Sequence, residues 1–93
     1  MTEPEFIVYD RDPIEGRYKD RYTCFGIDET VNTVVSILEG GGRANVIYGK
    51  VVLDLQPDYI KSYPRLREHV LRKKLNGLVE TPVRERPKHW ALP

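Results

Sequence analysis

Five bases, Arg65, Arg67, Arg72, Lys73 and Lys74, fall within ten positions, and Glu68 is the one acid among them. Four more cationic or aromatic candidates follow: Arg84, Arg86, Lys88 and Trp90. Guanidinium and ammonium groups at this density hold carboxylates or phosphates through charge-assisted hydrogen bonds. Trp is costly to leave in water and is enriched where interfaces concentrate their binding energy. These nine residues are the candidate partner-binding set.

Catalytic chemistry has weaker support. Gly40-Gly41-Gly42-Arg43 has the composition of a phosphate loop, but it follows an expected helix and precedes an expected strand. Phosphate loops need backbone amides at a helix start. Gly49-Lys50 is followed by Val51 where a Walker-type loop requires Ser or Thr. Both segments read as backbone punctuation. Asp10, Asp12, Glu15 and Asp20 gather around one loop, as oxygen ligands to a hard cation would. Calcium-loop spacing is absent, and Asp12-Pro13 is turn chemistry. Cys24, His69 and His89 lack zinc-ligand spacing, and no nucleophile, base and orienting group stand together. The expectation is no catalytic residue, no metal and no cofactor.

Charge is partitioned along the chain. Residues 1–39 carry nine acids and four bases, a net of −5. Residues 40–93 carry five acids and eleven bases, a net of +6. Such asymmetry points to an anionic partner, or to two complementary surfaces that meet. With 40% hydrophobic and 31% charged residues in 93, the chain is one small globular domain. A domain of this size buries roughly 60–65% of its unfolded surface. No apolar run approaches the ~20 residues of a spanning helix, and the acidic start lacks a secretory leader. One cysteine excludes an internal disulfide. The expected compartment is the cytosol, of a cell or of an infected one.

The elements that position these residues follow from patterning. Residues 5–10 and 18–26 are rich in β-branched and aromatic types and read as a hairpin around the Asp-Pro…Gly loop. Asp28 is a good N-cap. Beyond it Val31, Val34, Val35 and Leu38 share one helical arc, which Gly40-Gly41-Gly42 ends. Three Val and two Thr weaken that helix.

Next, Ala44, Val46 and Tyr48 alternate with Asn45 and Ile47, and then the apolar phase flips to Val51, Leu53 and Leu55. A two-residue Gly49-Lys50 turn of type II′ explains the flip. It pairs Tyr48 with Val51, Val46 with Leu53, and Ala44 with Leu55. Pro57 opens a short turn, and Ser62 is placed to cap a helix running to Leu75, stopped by Asn76-Gly77. On that helix Tyr63, Leu66 and Val70 form one apolar stripe and Leu71 and Leu75 another, with Arg67 and Lys74 between them. Residues 78–93 read as extended, with an added strand near 78–83.

The predicted fold is α+β: a small antiparallel sheet of two hairpins with two helices, in the order β-β-α-β-β-α, plus an extended C-terminal tail. Residues 1–83 form the domain and 84–93 the basic tail. The expected function is that of a small non-enzymatic binding protein, a regulator or inhibitor, viral ones included. It would occupy an anionic macromolecular surface, with an acidic protein surface favoured and no membrane. Direct nucleic-acid binding is the alternative. Self-assembly, acidic half against basic half, is the second, and a homodimer is compatible with so small a core.

Overall fold

A computed structural model describes residues 3–80. The tail residues Arg84, Arg86, Lys88 and Trp90, and the boundary expected at 84, lie outside the described residues. Four strands make one antiparallel sheet: β1 (Glu5–Arg11), β2 (Tyr18–Phe25), β3 (Arg43–Tyr48) and β4 (Val51–Leu55), in the order β2-β1-β3-β4. Helix α1 (Gly26–Glu39) joins the two hairpins. A 3₁₀ turn (Pro57–Ile60) and helix α2 (Pro64–Glu80) follow. The α+β fold and the order β-β-α-β-β-α are thus as the patterning predicts.

Alternation within each strand decides which sheet face is covered. Phe6, Val8, Cys24, Ala44, Val46, Val51, Leu53 and Leu55 are buried and share one face by register. Val31, Val34, Ile37 and Leu38 of α1 and Leu71, Leu75 and Leu78 of α2 complete the same core. Thr33 of α1 lies 3.4 Å from the Cys24 thiol, which places the helices on that face. Among the described residues no helix covers the opposite face.

The β3–β4 hairpin has the predicted register, Ala44 opposite Leu55, Val46 opposite Leu53 and Tyr48 opposite Val51. Gly49 takes φ 61° and Lys50 a negative φ, as a type II′ turn requires.

Three local expectations are corrected. Asp28 does not cap α1. The chain passes from β2 straight into the helix at Gly26, whose φ of 83° makes the bend and whose amide donates to the Pro4 carbonyl at 2.8 Å. Asp28 therefore lies in the first turn, where a carboxylate complements the helix dipole. Ser62 does not cap α2 either. Pro64 takes the first helical position, where its missing N–H costs nothing, so Tyr63 precedes the helix.

Asn76-Gly77 does not stop α2. A glycine inside a helix costs about 1 kcal/mol. Leu78 continues the Leu71–Leu75 stripe into the core, and burying a leucine gains about 2 kcal/mol. Burial wins, and the helix runs to Glu80. The expected strand is accordingly helix at 78–80, and 81–83 lie outside the described residues. At the end of α1 the glycines act as expected. The Gly42 amide bonds the Ile37 carbonyl (2.9 Å) and the Gly41 amide the Leu38 carbonyl (3.0 Å), the two bonds of a Schellman ending.

Candidate macromolecule-binding surfaces

Helix α2 meets the core along one stripe only. Leu71, Leu75 and Leu78 are buried, and Val70 is half-buried. The second apolar stripe is left in water: Tyr63 is 75% exposed and Leu66 57%. Arg65, Arg67 and Lys73 are exposed around it. Arg65 also lines a shallow open groove with Glu68, His69 and Arg72.

The bases of α2 differ in what they already hold. Arg72 hydrogen-bonds Asp28 in the first turn of α1, and lies 3.5 Å from Glu68 one turn back. Its charge is engaged within the chain, which holds its guanidinium above the usual range, chiefly through the Asp28 bond. Arg67 lies over the Tyr59 ring, 5.4 Å from its centroid, a cation–π contact. The Tyr59 hydroxyl donates to the Arg67 carbonyl at 3.2 Å. Burial pushes that phenol up, against the opposing field of Arg67. Lys74 is half-buried between the two stripes. Arg65 and Lys73 enter no ion pair among the described residues, so their charges face outward.

The first loop engages its own acids. Asp12 Oδ1 accepts the Ile14 and Glu15 amides, each at 2.8 Å. The Glu15 amide, then that of Ile14, holds this carboxyl below the ordinary value. Glu15 pairs with Arg17 at 3.0 Å. Among the described residues no group of three or more His, Cys, Asp or Glu is placed to hold a metal ion. Nor is any helix there long and apolar enough to cross a membrane.

A second surface escapes the sequence reading. On the uncovered sheet face Arg43 Nε donates to Asp54 Oδ1 at 2.7 Å, and Asn45 Nδ2 donates to the same oxygen at 2.8 Å. Asn45 Oδ1 accepts from Arg11 at 2.6 Å. The Arg43 bond holds the Asp54 carboxyl below its ordinary value, over the opposing effect of burial. Arg11 in turn lies over the Tyr18 ring, 4.7 Å from its centroid, and Tyr18 packs edge-on against Tyr9 at 4.9 Å. The signal for this face was present as the positions alternating with the core residues: Tyr9 and Arg11 beside Val8, Asn45 beside Ala44 and Val46, Asp54 beside Leu53 and Leu55. What was missing was the order of the strands, which brings β1 and β3 together.

The chain matches no protein-family model, no curated protein and no solved structure. The surfaces themselves carry the functional argument.

Proposed function

We propose that this is a small non-enzymatic binding protein of the cytosol, a regulator or inhibitor, that seats the outer side of α2 against an acidic surface of a partner protein. One observation carries the reading. Helix α2 leaves a second apolar stripe, Tyr63 and Leu66, exposed among the outward bases Arg65, Arg67 and Lys73. Apolar contacts beside guanidinium and ammonium groups that enter no ion pair among the described residues suit a partner whose surface mixes carboxylates with an apolar patch. Arg72, already bonded to Asp28, serves as a strut between the helices in this reading and not as a contact. The basic tail, Arg84, Arg86, Lys88 and Trp90, extends the same charge beyond the helix.

The test is fluorescence anisotropy with a labelled peptide of alternating Glu and Leu, titrated at low and high salt. The intact chain is compared with the double variant Arg65→Gln/Lys73→Gln, with Leu66→Ala, and with a chain ending at residue 83. Each α2 variant is expected to weaken binding about tenfold, a loss of ~1.4 kcal/mol. Absence of binding at low salt, or affinity indifferent to both α2 variants, sinks the reading. Unchanged affinity in the shortened chain removes the tail from it.

A further inference from the structure

With both helices on one side, no other described element covers the opposite side of the sheet, and the register sorts its side chains into rows. Tyr18, Arg11 and Arg43 lie in the first row. Arg21, Tyr9, Asn45 and Asp54 lie in the second. Thr23, Ile7, Ile47 and Val52 form a third, apolar row. One end of the face is cationic and aromatic, and the other is apolar.

Arg11 stands at the centre of the cationic end. Its Nε donates to the Gly16 carbonyl at 3.0 Å, and a second nitrogen donates to Asn45 at 2.6 Å. Its plane lies over Tyr18. All three partners are neutral. The guanidinium is therefore fixed in place, while its charge is not neutralised by direct contact. Arg43 is its neighbour in the row, and exposed Arg21 lies one row away. Among the described residues of these two rows Asp54 is the one carboxylate, and it is bonded to Arg43 and Asn45. Three guanidiniums thus share a single carboxylate.

Among the described residues, the acids nearest the cationic end lie on the other face or in the adjoining loop, where Asp12 and Glu15 are already engaged. Asp10 and Asp20 pair on the helix-bearing face. Asp12 is closed into its turn, Glu15 holds Arg17, and Asp28 holds Arg72. Glu5 shares the open face but sits at its far end, opposite Phe25.

Tyr18 is 62% exposed although it is braced by both Arg11 and Tyr9. A second exposed ring, Phe25, lies on the same strand at 50% exposure. Seven residues of strand separate the two rings, about 23 Å at a rise of ~3.3 Å per residue. That span suits the short footprints, about 4–16 nucleotides, of sheet folds that bind single strands.

The geometry points to a binding site for single-stranded nucleic acid on this open face. Bases stack on Tyr18, and phosphates meet Arg11 and Arg21. A duplex hides its base faces and cannot use the ring. An acidic peptide without aromatic residues would satisfy the guanidiniums but offers no ring to stack on Tyr18. The site is separate from the outer side of α2 and stands independently of the partner-protein reading.

The experiment is an anisotropy titration of a labelled, mixed-sequence single strand of about ten nucleotides, as DNA and as RNA, over a salt series. A duplex of the same sequence competes. Tyr18→Ala and Arg21→Ala are compared with the Arg65→Gln/Lys73→Gln pair, and circular dichroism checks that each is folded. Single strands are expected to bind at low salt and to outcompete the duplex. Tyr18→Ala is expected to weaken binding about tenfold. Arg21→Ala is expected to weaken it and to lower the salt slope by about one. No binding at low salt, preference for the duplex, or affinity unchanged in folded Tyr18→Ala overturns the site. Loss confined to the α2 pair overturns it as well. None of these outcomes bears on the acidic-peptide titration, so the two readings fail separately.

Discussion

Arg43 and Asp54 face each other on the diagonal of the β3–β4 hairpin, and the same Asp54 oxygen that accepts from Arg43 also accepts from Asn45. Asn45 is only 4% exposed on a face that no helix covers among the described residues. Its amide is satisfied at both ends, by Arg11 on the oxygen and by Asp54 on the nitrogen. This alternation of donor and acceptor ties β1, β3 and β4 together on that face through side chains as well as backbone.

Removing the carboxylate should expose that dependence. Asp54→Ala leaves Arg43 without its counter-charge and takes the stronger of two acceptors from Asn45 Nδ2, the other being the Ala44 carbonyl at 3.2 Å. The expected cost is about 1–3 kcal/mol, the range for losing hydrogen bonds to a charged group, read as a lower urea midpoint.

The same pair sets an acid limit. The Asp54 carboxyl is held below its ordinary value, first by the Arg43 bond. A folded-state value below the unfolded one of ~3.9 makes the contribution fully present above that pH. It is lost as pH falls through the folded value. The urea midpoint is therefore expected to drop on acidification below about pH 4. Asp12 titrates in the same direction, lowered by the Glu15 and Ile14 amides, so the Asp54 share is isolated by Asp54→Asn. That variant should show a shallower acid slope. An identical slope would assign the acid limit elsewhere.

Much of this architecture is legible in the sequence where contacts are local. The phase flip across Gly49-Lys50 admits one tight turn, and that turn fixes all three predicted pairs of the hairpin. The end of α2 is not legible, because Asn76-Gly77 states a local preference that Leu78 overrides through a tertiary contact. The candidate surfaces divide the same way. The bases of α2 are visible as a cluster, but Arg72 meets Asp28 across 44 positions, and nothing near either residue announces it. Arg11 and Asn45 are 34 positions apart and meet because β1 lies between β2 and β3.

The extension of α2 past Gly77 has a direct stability test. Leu78 is buried with Leu71 and Leu75, so Leu78→Ala should cost about 2–5 kcal/mol through lost burial and a residual cavity. Arg72→Gln, by contrast, removes a solvent-facing ion pair and should cost under ~1 kcal/mol. Chemical denaturation of the two variants side by side decides whether the apolar stripe or the ion pair holds α2. Equal losses would mean the strut matters more than its exposure implies.

Cys24 is a core residue first and a thiol second. It is buried on the covered face, and its Sγ donates to Thr33 Oγ1. Burial pushes its pKa up, which disfavours the reactive thiolate. Alkylation by iodoacetamide should be at least ~10²-fold slower in the native protein than in denaturant, since reaction waits for local opening. Rapid native labelling followed by mass spectrometry would show that β2 or α1 opens far more readily than the packed core implies.

Tyr63 sits against two preferences at once. It is the one non-glycine with positive φ among the described residues, at 55°, and it is largely exposed. A left-handed tyrosine costs roughly 1–2 kcal/mol, and an exposed ring returns little of that through burial. Its carbonyl accepts the Arg67 amide at 3.0 Å, a bond that any residue could make. Tyr63→Gly therefore relieves strain, partly offset by the greater freedom of glycine in the unfolded chain. The expected change is between about zero and 1 kcal/mol of added stability. Tyr63→Asn, which tolerates the same φ, should behave alike. If the ring belongs to the α2 surface, both variants should lose severalfold affinity for the acidic peptide while unfolding no earlier than the parent. A destabilised Tyr63→Gly would instead give the ring a structural role. Unchanged affinity would remove Tyr63 from the surface and leave Leu66 with Arg65 and Lys73. Gain in stability coupled to loss of binding is the combination that a purely structural residue cannot produce, because its removal would lower both together.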